Sequence, residues 1–84
     1  MDKVTVTVTA EDIGTPGVRD DNGACAIDRT MMRMDPTTRP ATGYSLTALG
    51  DKTYKLPVEA QIFIMSWDKG KQVEPFTFVM TRAY

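Results

Sequence analysis

Residues 3 to 9 alternate strictly, with Val4, Val6 and Val8 on one face and Thr5, Thr7 and Thr9 on the other. Every side chain after Lys3 in this run is β-branched, and period-2 alternation of such residues predicts a strand with one buried face. Thr9-Ala10-Glu11-Asp12 then reads as a variant capping box. The threonine hydroxyl accepts an N–H, and the acid lies in the positive first turn of a short helix. Gly14, Pro16 and Gly17 stop that turn, and residues 15 to 23 have the composition of an exposed loop. From Gly23 a second helix is expected. Ala24, Ile27, Met31 and Met34 form its apolar stripe, Asp28, Arg29 and Arg33 lie outside the stripe, Asn22 is the cap and Asp35-Pro36 is the stop. Residues 37 to 42 are a link. Tyr44–Leu49, Gly50-Asp51 and Lys52–Lys55 read as a hairpin whose two-residue turn needs positive φ at its first position.

The stretch from Leu56 to Gly70 is the strongest helix, with Pro57 in the first turn and glycine just past the end. Leu56, Ala60, Phe63, Ile64 and Trp67 form one stripe at helical spacing and should face the core. Val58, Ile62 and Met65 form a second apolar line outside it, wider than a two-layer domain needs. After Glu74-Pro75, the side chains of Phe76, Phe78 and Met80 share one face of a last strand. The order strand, helix, strand, strand, helix, strand predicts an α+β fold. The expected form is a ferredoxin-like (split βαβ) two-layer sandwich, an antiparallel sheet with two helices on one face. The same elements with a different strand order are the alternative.

Composition adds mainly exclusions. The chain of 84 residues predicts one domain spanning 1–84. Its longest wholly apolar run, Ile62 to Met65, falls far short of the roughly 20 residues that cross a bilayer. With no signal-like segment at Met1-Asp2-Lys3, the expectation is a cytoplasmic product without membrane contact. There is one cysteine and no histidine, which removes intrachain disulfides, the commonest zinc ligand and every Ser-His or Cys-His nucleophile arrangement. The net charge of −1 gives no global attraction for nucleic acid, so direct nucleic-acid binding is not expected. Acids are concentrated up to residue 28, and eight of the ten Lys and Arg residues follow that position.

Several residues invite chemistry. Asp20-Asp21-Asn22-Gly23 resembles part of a calcium loop, but that register places Val18 first and Arg29 twelfth, so the ligands are wrong and no metal or cofactor is expected. Gly23, Ala24 and Cys25 would offer free N–H groups to an anion at a helix start. Arg19, Arg29, Arg33 and Arg39 could form a phosphate clamp if folding brings them together, and Tyr44, Tyr54 and Trp67 could stack on a base. Cys25 has nothing to activate it and is expected to be buried. No set of nucleophile, base and orienting group can be assembled, so a non-enzymatic role is expected. Val58, Ile62 and Met65 fit an interface, with self-association through this helix or an open sheet edge as the favoured outcome.

Two blocks carry a family likeness: Val8-Thr9-x-x-Asp12-Ile13 with Cys25-Ala26-Ile27, and Leu56-Pro57-x-Glu59-Ala60-x-x-Phe63-Ile64-x-x-Trp67-Asp68-x-Gly70-x-x-Val73-x-Pro75-Phe76-x-Phe78. Together they cover most of the chain, which resembles short uncharacterised open reading frames of tailed bacteriophages and prophages. Ala26 departs from the proline more usual after that cysteine. The resemblance implies a viral origin and action in the host cytoplasm. By analogy with small accessory viral proteins, it also implies a stoichiometric inhibitor of a bacterial defence component that occludes a protein surface. The alternatives are an oligomeric sponge for a nucleotide second messenger, or a structural or assembly protein of the virion.

Overall fold

The computed structural model describes residues 3–84. The elements are β1 (Lys3–Val8), α1 (Ala10–Ile13), α2 (Ala26–Met34), β2 (Leu46–Leu49), β3 (Lys52–Lys55), α3 (Val58–Asp68) and β4 (Phe76–Arg82). The four strands form one antiparallel sheet in the order β1-β4-β3-β2. The fold is therefore the expected α+β two-layer arrangement with the helices on one sheet face. Its strand order is that of the alternative arrangement: β4 lies between β1 and β3, whereas a split βαβ would place β1 there.

Alternation sets the two faces of the sheet. Val6 and Val8 stand opposite Phe78 and Phe76, and these side chains point toward the helices with Tyr54 and Met80. Thr5, Thr7, Thr77, Val79 and Thr81 are exposed on the other face, where the Thr7 and Thr77 hydroxyls pair at 3.1 Å. The hairpin turns at Gly50, whose φ of +62° supplies the positive dihedral that its position requires.

The α3 stripe is buried as its spacing predicts, with Leu56, Ala60, Phe63, Ile64 and Trp67 all in the core. Phe63 continues into an aromatic ladder, 4.8 Å from Phe76, which lies 5.3 Å from Phe78. That ladder joins the helix layer to the central strand β4. The helix itself starts at Val58 with Pro57 as its N-cap, and Gly70 follows its end at φ +75°.

The start of α2 is corrected. The helix begins at Ala26 with Cys25 as its N-cap, three residues later than an Asn22 cap would place it. The cause is Asp20, whose carboxylate accepts from the N–H groups of Asn22 and Ala24 at 2.9 and 3.0 Å and closes a turn. Gly23 in that turn has φ +74°, outside the helical region. Asp28 is buried although it lies off the apolar stripe. Its carboxylate accepts from the N–H of Cys25 at 3.3 Å, from those of Ala41 and Thr42 at 3.1 and 2.9 Å, and from the Thr42 hydroxyl. One side chain thus caps α2 and ties the link 37–42 to the helix. Met34, expected on the buried stripe, is 37% exposed at the last turn.

Cys25 is buried, and that burial pushes its thiol above the ordinary range. In the native protein it should react with a thiol reagent far more slowly than in denaturant. Equal rates in a timed labelling experiment would mean that the start of α2 is open.

Candidate functional site

Two places combine exposure or charge with a defined geometry. The first is an arginine cluster formed where residues 14–23 cross the helix layer. Arg19 and Arg29 hold their guanidinium groups over the Trp67 ring, at 5.9 and 5.6 Å from its centroid. Trp67 donates its Nε1–H to the Ile13 carbonyl at 2.9 Å. Arg29 donates to the carbonyls of Asp12, Ile13 and Val18 at 3.3, 3.4 and 2.8 Å, and its Nε lies 3.6 Å from Asp20. Arg19 donates to the Gly23 carbonyl at 3.0 Å and pairs with Asp68 at 3.1 Å. Gly17 lies so close to the end of α3 that a Cβ on it would stand 3.2 Å from Gly70 Cα.

Asp12 organises the other half of this cluster. Its carboxylate accepts from the Thr9 N–H at 3.0 Å, the Thr30 hydroxyl at 3.0 Å, Arg33 Nε at 3.2 Å and Arg33 Nη2 at 2.9 Å. Burial alone would raise its pKa. The Arg33 guanidinium, the Thr9 N–H and the two hydroxyls outweigh that and hold the carboxyl below the usual aspartate range. Asp20 is likewise held low, first by the Ala24 N–H.

The sequence-predicted site residues are therefore distributed as follows. Arg19 and Arg29 do meet, over Trp67, and hold the 14–23 segment, whereas Arg33 turns instead to Asp12 and the Thr7 carbonyl; the donors of all three are directed at the protein's own carbonyls and carboxylates. Arg39 lies exposed on the link after α2. The N–H groups expected to be free for an anion are also engaged, Gly23 with the Asp20 carbonyl, Ala24 with the Asp20 carboxylate and Cys25 with Asp28. Asn22 is exposed in that turn. Tyr44 is 60% exposed just before β2, whereas Tyr54 is only 6% exposed on the inner sheet face with Arg82 over its ring. Tyr54 is thus a core residue. The signal was available, since it stands two positions before Leu56 and shares its strand parity with that buried side chain. Asp12 closes the capping box expected of it, but its burial and that of Asp28 are not signalled by the sequence, because carboxylates are surface residues by default.

The second place is the outer face of α3. Val58, Ile62 and Met65 are 67, 58 and 41% exposed, although the opposite side of the same helix is in the core. Their spacing of four and three residues aligns them along the helix, so they form one apolar ridge. Glu59 and Asp68 are exposed on the same helix. No cluster of His, Cys, Asp or Glu able to hold a metal occurs among the described residues. Among them, no helix is long and apolar enough to cross a membrane.

Comparison with known proteins returned no matching family model, no matching curated protein and no matching solved structure.

Proposed function

We propose that this chain is a non-enzymatic binding protein that acts stoichiometrically, covering a surface of a protein partner with the outer face of α3. The observation that carries this reading is the exposure of Val58, Ile62 and Met65 on a helix whose other side is fully packed. Leaving three such side chains in water forgoes stabilisation on folding, and a ridge of this kind fits a partner's apolar groove. The resemblance to phage reading frames supports a partner among bacterial defence components and action in the host cytoplasm. The nucleotide-sponge alternative is less favoured, because Arg19, Arg29 and Arg33 already spend donors on internal acceptors.

The test is a pull-down from infected cells with the wild type and Ile62→Asp. The expected result is a bacterial protein captured near one-to-one by the wild type, inhibited by it, and lost from the variant, whose circular dichroism is unchanged. Capture that ignores the substitution, or turnover of a substrate by the purified chain, would count against the proposal. Stabilisation of the fold by cyclic or linear nucleotides at micromolar concentration would favour the sponge instead.

A further inference from the structure

The hydrogen-bond parity of the sheet shows what β1 offers on its unpaired side. Ala83 N–H donates to the Thr53 carbonyl at 3.0 Å, and these residues continue the register in which Tyr54 opposes Arg82. Odd positions of β4 therefore bond toward β3, and even ones bond toward β1. Phe76, Phe78 and Met80 oppose Val8, Val6 and Val4, so these valines form the ladder with β4. The backbone groups of Lys3, Thr5 and Thr7 point away from the sheet. Two contacts agree with this: Arg33 Nη2 donates to the Thr7 carbonyl at 2.8 Å, and Asp12 receives the Thr9 N–H.

The two sheet edges are treated differently. At β2, Gly43 N–H donates to the outward Leu46 carbonyl at 2.8 Å and Thr38 receives the Gly50 N–H at 2.7 Å, so the preceding link ties down both ends of that edge and leaves the N–H groups of Leu46 and Ala48 and the Ala48 carbonyl without a partner among the described residues. At β1, the Asp12–Arg33 pair guards only the C-terminal end. The N–H groups of Lys3, Thr5 and Thr7 and the carbonyls of Lys3 and Thr5 have no partner among the described residues. β1 has no proline and no inward-pointing charge, and of the usual means of blunting an edge it carries only Lys3, at its N-terminal end.

We infer that the β1 edge is a self-association surface, pairing antiparallel with β1 of a second copy to make one continuous sheet. The occupant follows from complementarity. β4, the strand already paired with β1, presents Thr77, Val79 and Thr81 opposite Thr7, Thr5 and Lys3. A second β1 presents a like outer row of β-branched residues, Thr5 and Thr7, and sets valines inward where β4 sets Phe76, Phe78 and Met80. A two-fold axis at Thr5 lets the two Thr5 residues exchange both backbone bonds and sets Lys3 opposite the second copy's Thr7. Valine then meets valine on the inner face, and the two Lys3 charges lie at opposite ends. Moving the axis to Val6 would need the Thr9 N–H, which Asp12 already holds. The Thr7 carbonyl has two lone pairs, so it can keep Arg33 and accept the new bond.

This inference is independent of the α3 reading, and the experiment separates them. Sedimentation across a concentration series is combined with amide hydrogen exchange on the wild type, Thr5→Pro and Ile62→Asp. Proline at position 5 removes a donor from the free edge and none from the β4 ladder, a placement that edge strands tolerate. The expected result is a wild-type dimer at high concentration in which the Thr5 and Thr7 amides change from fast to slow exchange. The Val4, Val6 and Val8 amides should be slow throughout. Thr5→Pro should lose the dimer and Ile62→Asp should keep it. If Thr5→Pro fails to fold, the wild-type exchange pattern decides alone. A wild type monomeric at the highest attainable concentration overturns the inference. So does a dimer with a freely exchanging Thr5 amide, or one lost on Ile62→Asp.

Discussion

Trp67→Ala should lower the unfolding free energy by about 3–5 kcal/mol, the usual cost of emptying a buried aromatic site. For a chain of 84 residues, total stability is on the order of 4–13 kcal/mol. A loss of that size leaves a large unfolded population at the low end of the range. Three effects add at this position. The ring is 1% exposed, its Nε1–H satisfies the Ile13 carbonyl, and it is the surface on which Arg19 and Arg29 rest. Removing it opens a cavity, leaves the Ile13 carbonyl with only the longer bond from Arg29 and releases the clamp on residues 14–23 together. Trp67→Phe keeps much of the volume and loses the hydrogen bond, so it should cost about 1–3 kcal/mol. Urea melts of both variants check the expectation. If the alanine variant loses less than about 1 kcal/mol, Trp67 does not hold the segment in place.

Asp12→Ala should cost about 2–4 kcal/mol, because the Thr9 N–H and Arg33 lose their acceptor when it goes, while the buried Thr30 hydroxyl is left with the Ala26 carbonyl. The estimate is kept below that of a fully buried ion pair because the Arg33 side chain is 47% exposed and water can take over its charge. The same carboxylate predicts a pH dependence. Its folded-state pKa is depressed, so the stabilisation is complete above the unfolded aspartate value near 3.9 and is lost as pH falls through the lower folded value. Acid melts should show the wild type losing stability through that window with a steeper slope than Asp12→Asn. Parallel curves would show that Asp12 does not contribute to the acid limb.

Periodicity was informative wherever one face is buried. The Val/Thr alternation of β1, the Gly50 turn and the phase of α3 all followed from spacing, since period 2 or 3.6 states which side chains share a face. Period says nothing about which strand is the neighbour. Both candidate strand orders keep Val6, Phe78 and Tyr54 inward, so the place of β4 beside β3 could not be read from the residues. Local polar competition was the other limit. Asn22 is a good cap by residue type, but Asp20 two positions earlier captures the backbone first, and the helix waits for Cys25 and Asp28. The arginines illustrate the same limit over a longer range. Arg33 reaches an aspartate 21 positions away, a pairing that charge counts along the chain cannot anticipate. Exposure on α3 was legible because Val58, Ile62 and Met65 fall outside a stripe that is already complete.

The crossing of Gly17 over Gly70 implies an order of assembly. A Cβ on Gly17 would stand 3.2 Å from Gly70 Cα at a φ of +82° that disfavours side chains, and the surfaces that receive this segment belong to Arg29 on α2 and to Trp67 at the end of α3. Neither surface exists until both helices have formed and docked on the sheet. Residues 14–23 are thus expected to settle after those helices and to lift away before them. Local opening of this α1-to-α2 connection should therefore leave the sheet and the two long helices intact, and amide exchange would show it as weaker protection there than in β4.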